Sequence, residues 1–371
     1  MLPILLAMMT AQAPGTFPDV EHAGGRMTHV QGVPVLLLKG SPAEMGAQFG
    51  VLAGRNAPEP GLHALHAQFL KDAKLEDAAD AIGVMAKRLK TNFPAHHLAE
   101  IEATSKAGLN FDMLLFAATV YDLSSGMGCS TAVIEKERSA TGAPLFGRNF
   151  DWLPTLDIPK HTLVVVYRPT GKRAFATVTI SPINGCISGM NDAGLCCTIN
   201  EIHLKKSKDK AGFNWEGVPM LLAFRLVLEE CGTVAEAEAL LRKTPRTTAA
   251  CLTVCDVNGG AVFEMTPKTL EVRKPAGGVT CCTNHFCSDP LGVPSKCDRL
   301  PKLLKLQADE AKLDVNAVFA KLDEVHQGKN TLQSMVFEPA TKTLHLKLGD
   351  ARTSATGKPA AKLELGKLLA K

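Results

Sequence analysis

The spacing of hydrophobic and polar positions changes character at residue 128. From about residue 60 to 123 apolar residues recur three and four apart with few strand signals, which predicts a run of helices. Gly40-Ser41-Pro42-Ala43-Glu44 marks a helix start, with Ser41 as N-cap, Pro42 at the first helical position and Glu44 at the third. Ahead of it, the apolar run 33–38 reads as a strand. Beyond residue 128 short β-branched runs take over, at 129–134, 145–151, 161–168, 174–180, 186–190 and 194–200. Turns such as Pro169-Thr170-Gly171-Lys172 and Asn191-Asp192-Ala193-Gly194 separate them. A helical stretch over 218–241 comes next, then strands at 250–256, 261–265 and 279–285. Helices at 298–307 and 315–325 and closing strands at 332–337 and 343–348 complete the pattern. Strand blocks separated by helices predict an α+β chain in which helices cover both outer faces of two sheets.

The candidate chemistry lies at the change of pattern. Cys129 follows the Gly-rich bend Ser124-Ser125-Gly126-Met127-Gly128 and opens a strand. The next strand returns through Gly147-Arg148-Asn149-Phe150-Asp151-Trp152. That return brings a guanidinium and a carboxylate back beside the sulfur. Arg148 favours the thiolate, and Asp151 can hold a neighbouring ammonium or amide. A cysteine in mid-chain has no adjacent base, and no histidine is near this one in sequence. Cleavage of Gly128–Cys129 would free an α-amino group at the nucleophile itself, with a pKa of roughly 7.7–8.0, close to what a general base needs. Gly128 suits attack on its carbonyl by leaving the peptide unit uncrowded. On its own Cys129 reads as a buried structural thiol; the return strand decides for the nucleophile.

These motifs resemble the cysteine branch of the N-terminal-nucleophile hydrolases, in particular the penicillin acyltransferase-like peptidase family. Choloylglycine hydrolases, acid ceramidase and acylethanolamine amidases are more distant. Cys129-Ser130-Thr131 and the segment Gly147 to Trp152 carry the resemblance; it is looser at Thr283–Phe286 and extends from Gly40 onward. It implies a four-layer αββα sandwich, in which a helical N-terminal pro-segment, 14–128, is cut from a catalytic domain, 129–371, and stays associated with it. It further implies a thioester at Cys129, formed by cleaving or transferring the acyl group of a linear small-molecule amide, with no cofactor. Asn200 and Asn284 resemble the family's polar active-site residues, and asparagine amides suit a developing oxyanion. Asn200 is equally a strand-end turn former. Ser295-Lys296-Cys297-Asp298-Arg299 resembles a helix-opening segment whose arginine would grip a substrate carboxylate, although Lys296 stands where the family has a second serine. Trp152 joins Arg299 as an expected substrate contact.

Three other readings compete for these residues. A papain-like hydrolase would pair Cys129 with His285, but its nucleophile opens a helix, whereas Thr131, Val133 and Ile134 favour a strand. A non-catalytic ligand-binding member of the same fold would have no need of nucleophile, arginine and aspartate together. A metal site drawn from Cys281, Cys282, His285 and Cys287 would need adjacent strand residues to turn the same way, so no metal is expected. His63, His66, His96 and His97, in the helical part, read as exposed or helix-packing residues.

Composition narrows the rest. A net charge of +4 over 371 residues is too small and too evenly spread to argue for nucleic acid or an anionic membrane. No apolar run is long enough to span a bilayer. Residues 1–13, ending in Ala11-Gln12-Ala13, resemble a signal peptide, which predicts a secreted or periplasmic protein. The lack of Lys or Arg at its start, and Pro14 after it, keep a cytoplasmic enzyme with an N-terminal tail as the other reading. Eleven cysteines include Cys196-Cys197 and Cys281-Cys282 within strands, where neighbours face opposite ways, so no disulfide framework is predicted.

Overall fold

A computed structural model describes residues 16–153 and 158–370; the signal-like run 1–13 lies outside the described residues. Strands β1 (Val20–His22), β2 (Gly25–Val30) and β3 (Val33–Gly40) come first. Helix α1 (Pro42–Phe49) then starts as its sequence dictates. Ser41 Oγ accepts from the Glu44 N–H, and the Glu44 carboxylate accepts from the Ser41 N–H at 2.7 Å. Helices α2 (Gly61–Asp72), α3 (Ala79–Leu89), α4 (Ala95–Lys106) and α5 (Phe111–Leu123) lead to the bend before Cys129.

Strands β4 (Gly128–Ile134), β5 (Leu145–Asp151), β6 (Thr162–Pro169), β7 (Phe175–Ile180), β8 (Ser188–Asn191) and β9 (Cys196–Glu201) follow. The helix expected over 218–241 is two, α6 (Met220–Glu230) and α7 (Val234–Lys243). They part at Cys231-Gly232-Thr233, where the Thr233 hydroxyl accepts from the Glu236 N–H and starts a new helix. Next come β10 (Ala250–Asp256), β11 (Gly259–Met265), β12 (Leu270–Arg273) and β13 (Val279–Cys282). Strand β13 ends three residues earlier than expected, so Thr283, Asn284 and His285 leave the sheet. Helices α8 (Arg299–Ala308) and α9 (Val315–Asp323), strands β14 (Thr331–Glu338), β15 (Thr343–Leu348) and β16 (Ala361–Glu364), and α10 (Leu365–Leu369) close the chain.

The strands make a ten-stranded sheet, β1-β2-β3-β6-β7-β8-β9-β10-β11-β12, and a six-stranded one, β13-β4-β5-β14-β15-β16. Helices α6 and α7 cover the larger sheet at β8 to β11, α1 covers it at β3, and α8 and α9 cover the smaller sheet. The result is an αββα sandwich. Between the sheets lie Val133, Phe146, Val166, Met335 and Phe337; Ile134, Leu303 and Leu322 fill the space under α8 and α9. Strands β4 and β5 are central, so both are buried on two faces. The segment before Cys129 is not wholly helical. Its β3 pairs in parallel with β6, placing β1 to β3 in the larger sheet. Among the described residues no helix is long and apolar enough to cross a membrane.

Candidate active site

Side-chain alternation along β4 and β5 decides what meets Cys129. Cys129, Thr131 and Val133 face the larger sheet, where Thr131 Oγ1 lies 2.8 Å from Thr253 Oγ1 on β10. Arg148 stands opposite Thr131 and shares that face. Its Nη2 donates to Cys129 Sγ at 3.3 Å, and its Nη1 donates to the Ile199 carbonyl on β9 at 2.6 Å. The guanidinium is fully buried and lies over Phe150, 5.3 Å from the ring centroid. Burial pushes the Cys129 thiol up, Arg148 pulls against that rise, and Asp151 adds to it. In the uncut chain the thiol form therefore dominates.

Asp151 turns the other way. Its Oδ1 accepts from Thr331 Oγ1 at 2.5 Å and its Oδ2 from Gln327 Nε2 at 2.8 Å. Gly128 lies opposite Asp151, and a Cβ there would stand 2.3 Å from Gln327 Nε2. A side chain at this position would displace the Gln327 amide.

The segment after β13 and the start of α8 supply the other face of the junction. Asn284 Oδ1 accepts from the Cys129 N–H at 2.8 Å and from Arg299 Nη2 at 2.8 Å. Asn284 Nδ2 donates to the carbonyls of Glu201 at 3.0 Å and Met127 at 3.3 Å. Arg299 Nη1 donates to the Cys129 carbonyl at 2.6 Å and to Ser130 Oγ at 2.9 Å, and lies 3.6 Å from Asp151 Oδ2. Both terminal nitrogens of Arg299 are engaged by the nucleophile's surroundings.

The sequence model of the acyl-coenzyme A:6-aminopenicillanic acid acyl-transferase family matches residues 138–353, more than half of the chain. The chain belongs to that family. That membership places it among enzymes of the acyl-transferase class. Among solved structures it is similar to an N-acylethanolamine-hydrolyzing acid amidase ortholog from Caenorhabditis elegans, at 19% identity and TM-score 0.44, over 57% of this chain and 93% of that one. A mutant conjugated bile acid hydrolase from Clostridium perfringens aligns at 15% identity and TM-score 0.47, over 64% of this chain and 93% of that one. Penicillin V acylase from Agrobacterium tumefaciens aligns at 16% and 0.42, over 65% and 93%. No curated protein matches the chain. The family match takes in Arg148, Asp151, Asn200, Asn284 and Arg299 and begins nine residues after Cys129.

Two further expected residues of this acyl-transferase family member sit nearby. Asn200 is buried on the face of β9 that Cys196 turns toward the smaller sheet, and neither its Oδ1 nor its Nδ2 has a partner among the described residues. Trp152 lines an apolar cavity of about 60 Å³ with Phe69, Met113, Phe116 and Ile183. Its ring centroid is 5.1 Å from that of Phe69.

Glu201 was not expected. Its carboxylate accepts from the N–H groups of Gly126 at 3.1 Å and Met127 at 2.7 Å, and so holds the bend before the junction. Burial pushes its carboxyl up, and those two N–H groups oppose the rise. The available signal was an acid at the end of β9, directly after Asn200. Gln327 and Thr331 gave none, since they reach Asp151 only through the pairing of β14 with β5.

Cys129 opens strand β4 and not a helix, against the papain-like alternative that pairs it with His285. His285 Nδ1 lies 3.1 Å from Thr283 Oγ1, and that hydroxyl meets Cys297 Sγ at 3.5 Å. Cys281 and Cys282 face opposite ways, one toward the Leu303 carbonyl of α8 and the other packed with Cys251. All eleven cysteines are free of disulfides. Among the described residues, His96, His97 and Glu229 come within metal-ligand reach of one another. Glu229 accepts from Arg225 Nε at 2.9 Å, and Arg225 also bonds Glu100 at 2.6 Å. His97 packs, fully buried, against Glu229 between α4 and α6.

Proposed function

We propose that this family member is a self-processing cysteine enzyme that cuts its own Gly128–Cys129 bond. It then cleaves or transfers the acyl group of a linear amide through a thioester at Cys129. One observation carries most of this reading. The sulfur of Cys129 holds the Arg148 guanidinium at 3.3 Å while the N–H of the same residue is held at 2.8 Å by Asn284 Oδ1. Sulfur and future amine are therefore positioned by different residues.

In self-cleavage Sγ adds to the Gly128 carbonyl carbon, and the thiol proton passes to the departing Cys129 nitrogen. Water then hydrolyses the resulting thioester to a Gly128 carboxylate. In later turnovers the freed amine takes the thiol proton, and Arg148 favours the thiolate. Asp151, fixed by Thr331 and Gln327, accepts from the amine together with Asn284 Oδ1. Arg299 positions the start of β4 through the Cys129 carbonyl and Ser130 Oγ. Departure of the 126–128 tail removes the Met127 carbonyl from Asn284 Nδ2, leaving that N–H for the oxyanion, with the unpartnered Asn200 amide as a second donor. The same departure frees the Glu201 carboxylate to accept from the substrate's leaving amine. The cavity beside Trp152 suits an apolar acyl group. Export through the N-terminal run is part of this reading.

Intact mass and N-terminal sequencing test it. Wild-type protein is expected as two chains, the second starting at Cys129, and Cys129→Ala as one. Quenching with a panel of N-acyl amines should leave the acyl group on the Cys129 peptide. An uncut chain that turns over amides, or an adduct on another cysteine, would overturn the assignment. A non-catalytic binding module would show neither cut nor adduct.

A further inference from the structure

A file of rings leads away from the nucleophile. Phe150 stands opposite Cys129 in the β4–β5 pairing. Its ring centroid lies 6.0 Å from that of Trp152, Trp152 lies 5.1 Å from Phe69, and Phe69 lies 5.9 Å from Phe116. His66 ends the file, edge-on to Phe116 with centroids 4.9 Å apart. Helices α2 and α5 carry the last three rings, so these come from the segment before the proposed cut.

The cavity of about 60 Å³ beside Trp152 lies along this file, with Leu65, Ala117 and Val120 among its walls. Beyond it, between α2, α3 and α5, a groove of about 490 Å³ is lined by Leu70, Ile82 and Val84. Lys87 and Asp112, half-exposed and 2.8 Å apart, also line that groove. His66, Met113 and Phe116 line both spaces. Those three side chains are therefore the partition between an apolar interior cavity and a surface groove. Burial, with His63 adding to it, holds His66 below the usual imidazole range, so the ring at the partition is uncharged at neutral pH.

We propose that this partition sets the length of the acyl group: a straight hydrocarbon chain enters the cavity past Trp152, and its far end stops against Phe116 and His66. The proposal deepens the acyl assignment above and rests on the thioester at Cys129 for its direction; the fit of a chain to the cavity does not depend on it. Each buried methylene is worth roughly fourfold in affinity, so a chain gains with every carbon until it meets the partition. A longer chain must push the Phe116 ring aside, and its gain stops there. Without that ring the cavity and the groove join, and the chain can run on over Leu70 and Ile82. Ala117 gives the opposite control, since a larger side chain there fills the cavity.

Straight-chain carboxylic acids from butanoate to dodecanoate are the probe, and the change in Trp152 fluorescence reads their binding. The chain has two tryptophans, so a Trp215→Phe background leaves Trp152 as sole reporter. Affinity should climb roughly fourfold per methylene and level off at one chain length. Phe116→Ala should move that break to longer acids, and Ala117→Leu should move it to shorter ones. Phe116→Leu, a milder change should the alanine variant fail to fold, should move it in the same direction as Phe116→Ala. Among N-acyl anilides, kcat/KM should break at the same acyl length as binding in each variant. Affinity indifferent to chain length, or a break that stays fixed in all these variants, would overturn the proposal. So would turnover whose preferred acyl length ignores Phe116. Acids that bind with a movable break, in a protein that neither cuts itself nor turns over amides, would sink the role of Cys129 and leave the partition standing.

Discussion

At Gly128 one added methyl group tests the junction. A Cβ there would stand 2.3 Å from Gln327 Nε2 and 3.0 Å from Asp151 Cβ, so it must push Gln327 off the carboxylate it holds. Gly128→Ala is expected to slow self-cleavage by about tenfold or more, followed as the uncut fraction over time by intact mass. Arg148→Met, which keeps volume and removes charge, should move the pH profile of Cys129 alkylation in cut protein to higher pH. The guanidinium has the larger effect of the two cations, with Arg299, that oppose burial there. An unchanged profile would remove Arg148 from thiolate control. Asp122 offers a test of stability. Its carboxyl is buried, accepts from Thr247 Oγ1 and the Met220 N–H, and is pushed up by burial from 3.8 to about 7, with those bonds opposing. Below pH 3.8 both folded and unfolded forms hold the proton; between there and about 7 only the folded form does. Stability contributed by this group is therefore lost as pH rises through that window, by up to about 4 kcal/mol. Asp122→Asn cannot ionise and should gain on wild type in urea titrations run from pH 4 to pH 7. A constant difference across that range would contradict the assigned ionisation.

At the scale of elements, Gly46 and Gly50 stand four residues apart where α1 and the helical turn after it lie against α4. A Cβ on Gly46 would stand 2.1 Å from the Glu100 carbonyl oxygen, and one on Gly50 2.8 Å from that of Thr104. Gly83 on α3 has nothing within 4 Å. Gly46→Ala is expected to cost about 1–3 kcal/mol by overpacking, and Gly83→Ala to add about 0.5–1 kcal/mol through helix propensity. Urea midpoints of the two variants should move in opposite directions. The same scale shows what the sequence made legible. Long periodic elements were, as was the β4–β5 hairpin, because Cys129, Arg148 and Asp151 are brought together by local pairing. Short strands were not: β1, β2, β12 and β16 lie at or beside sheet edges and carry exposed polar residues such as Glu21, Arg26 and Lys362. Gln327 and Thr331 escaped notice because long-range strand register, invisible in local pattern, sets them beside Asp151. Glu201 escaped for a related reason, since only the folded bend shows its two N–H donors.

For the whole molecule, the decisive contact is between β3 and β6. They pair in parallel from Val35 with Val164 to Gly40 with Pro169, and β3 precedes the proposed cut while β6 follows it. Cleavage at Gly128–Cys129 would leave β1 to β3 as strands contributed by one chain to the other's sheet. Helix α1 packs on β3 and α5 on α6, so the N-terminal chain's buried surface is also shared. Leaving would expose apolar side chains and the unpaired edge of β6. The two chains are therefore expected to co-elute on size exclusion at micromolar concentration and to separate only in denaturant. Unfolding of cut protein then releases two molecules where uncut Cys129→Ala releases one. By mass action the urea midpoint of the cut form should rise with protein concentration, while that of the uncut form should not. Two peaks from cut protein in plain buffer would mean that the shared sheet does not hold the chains together.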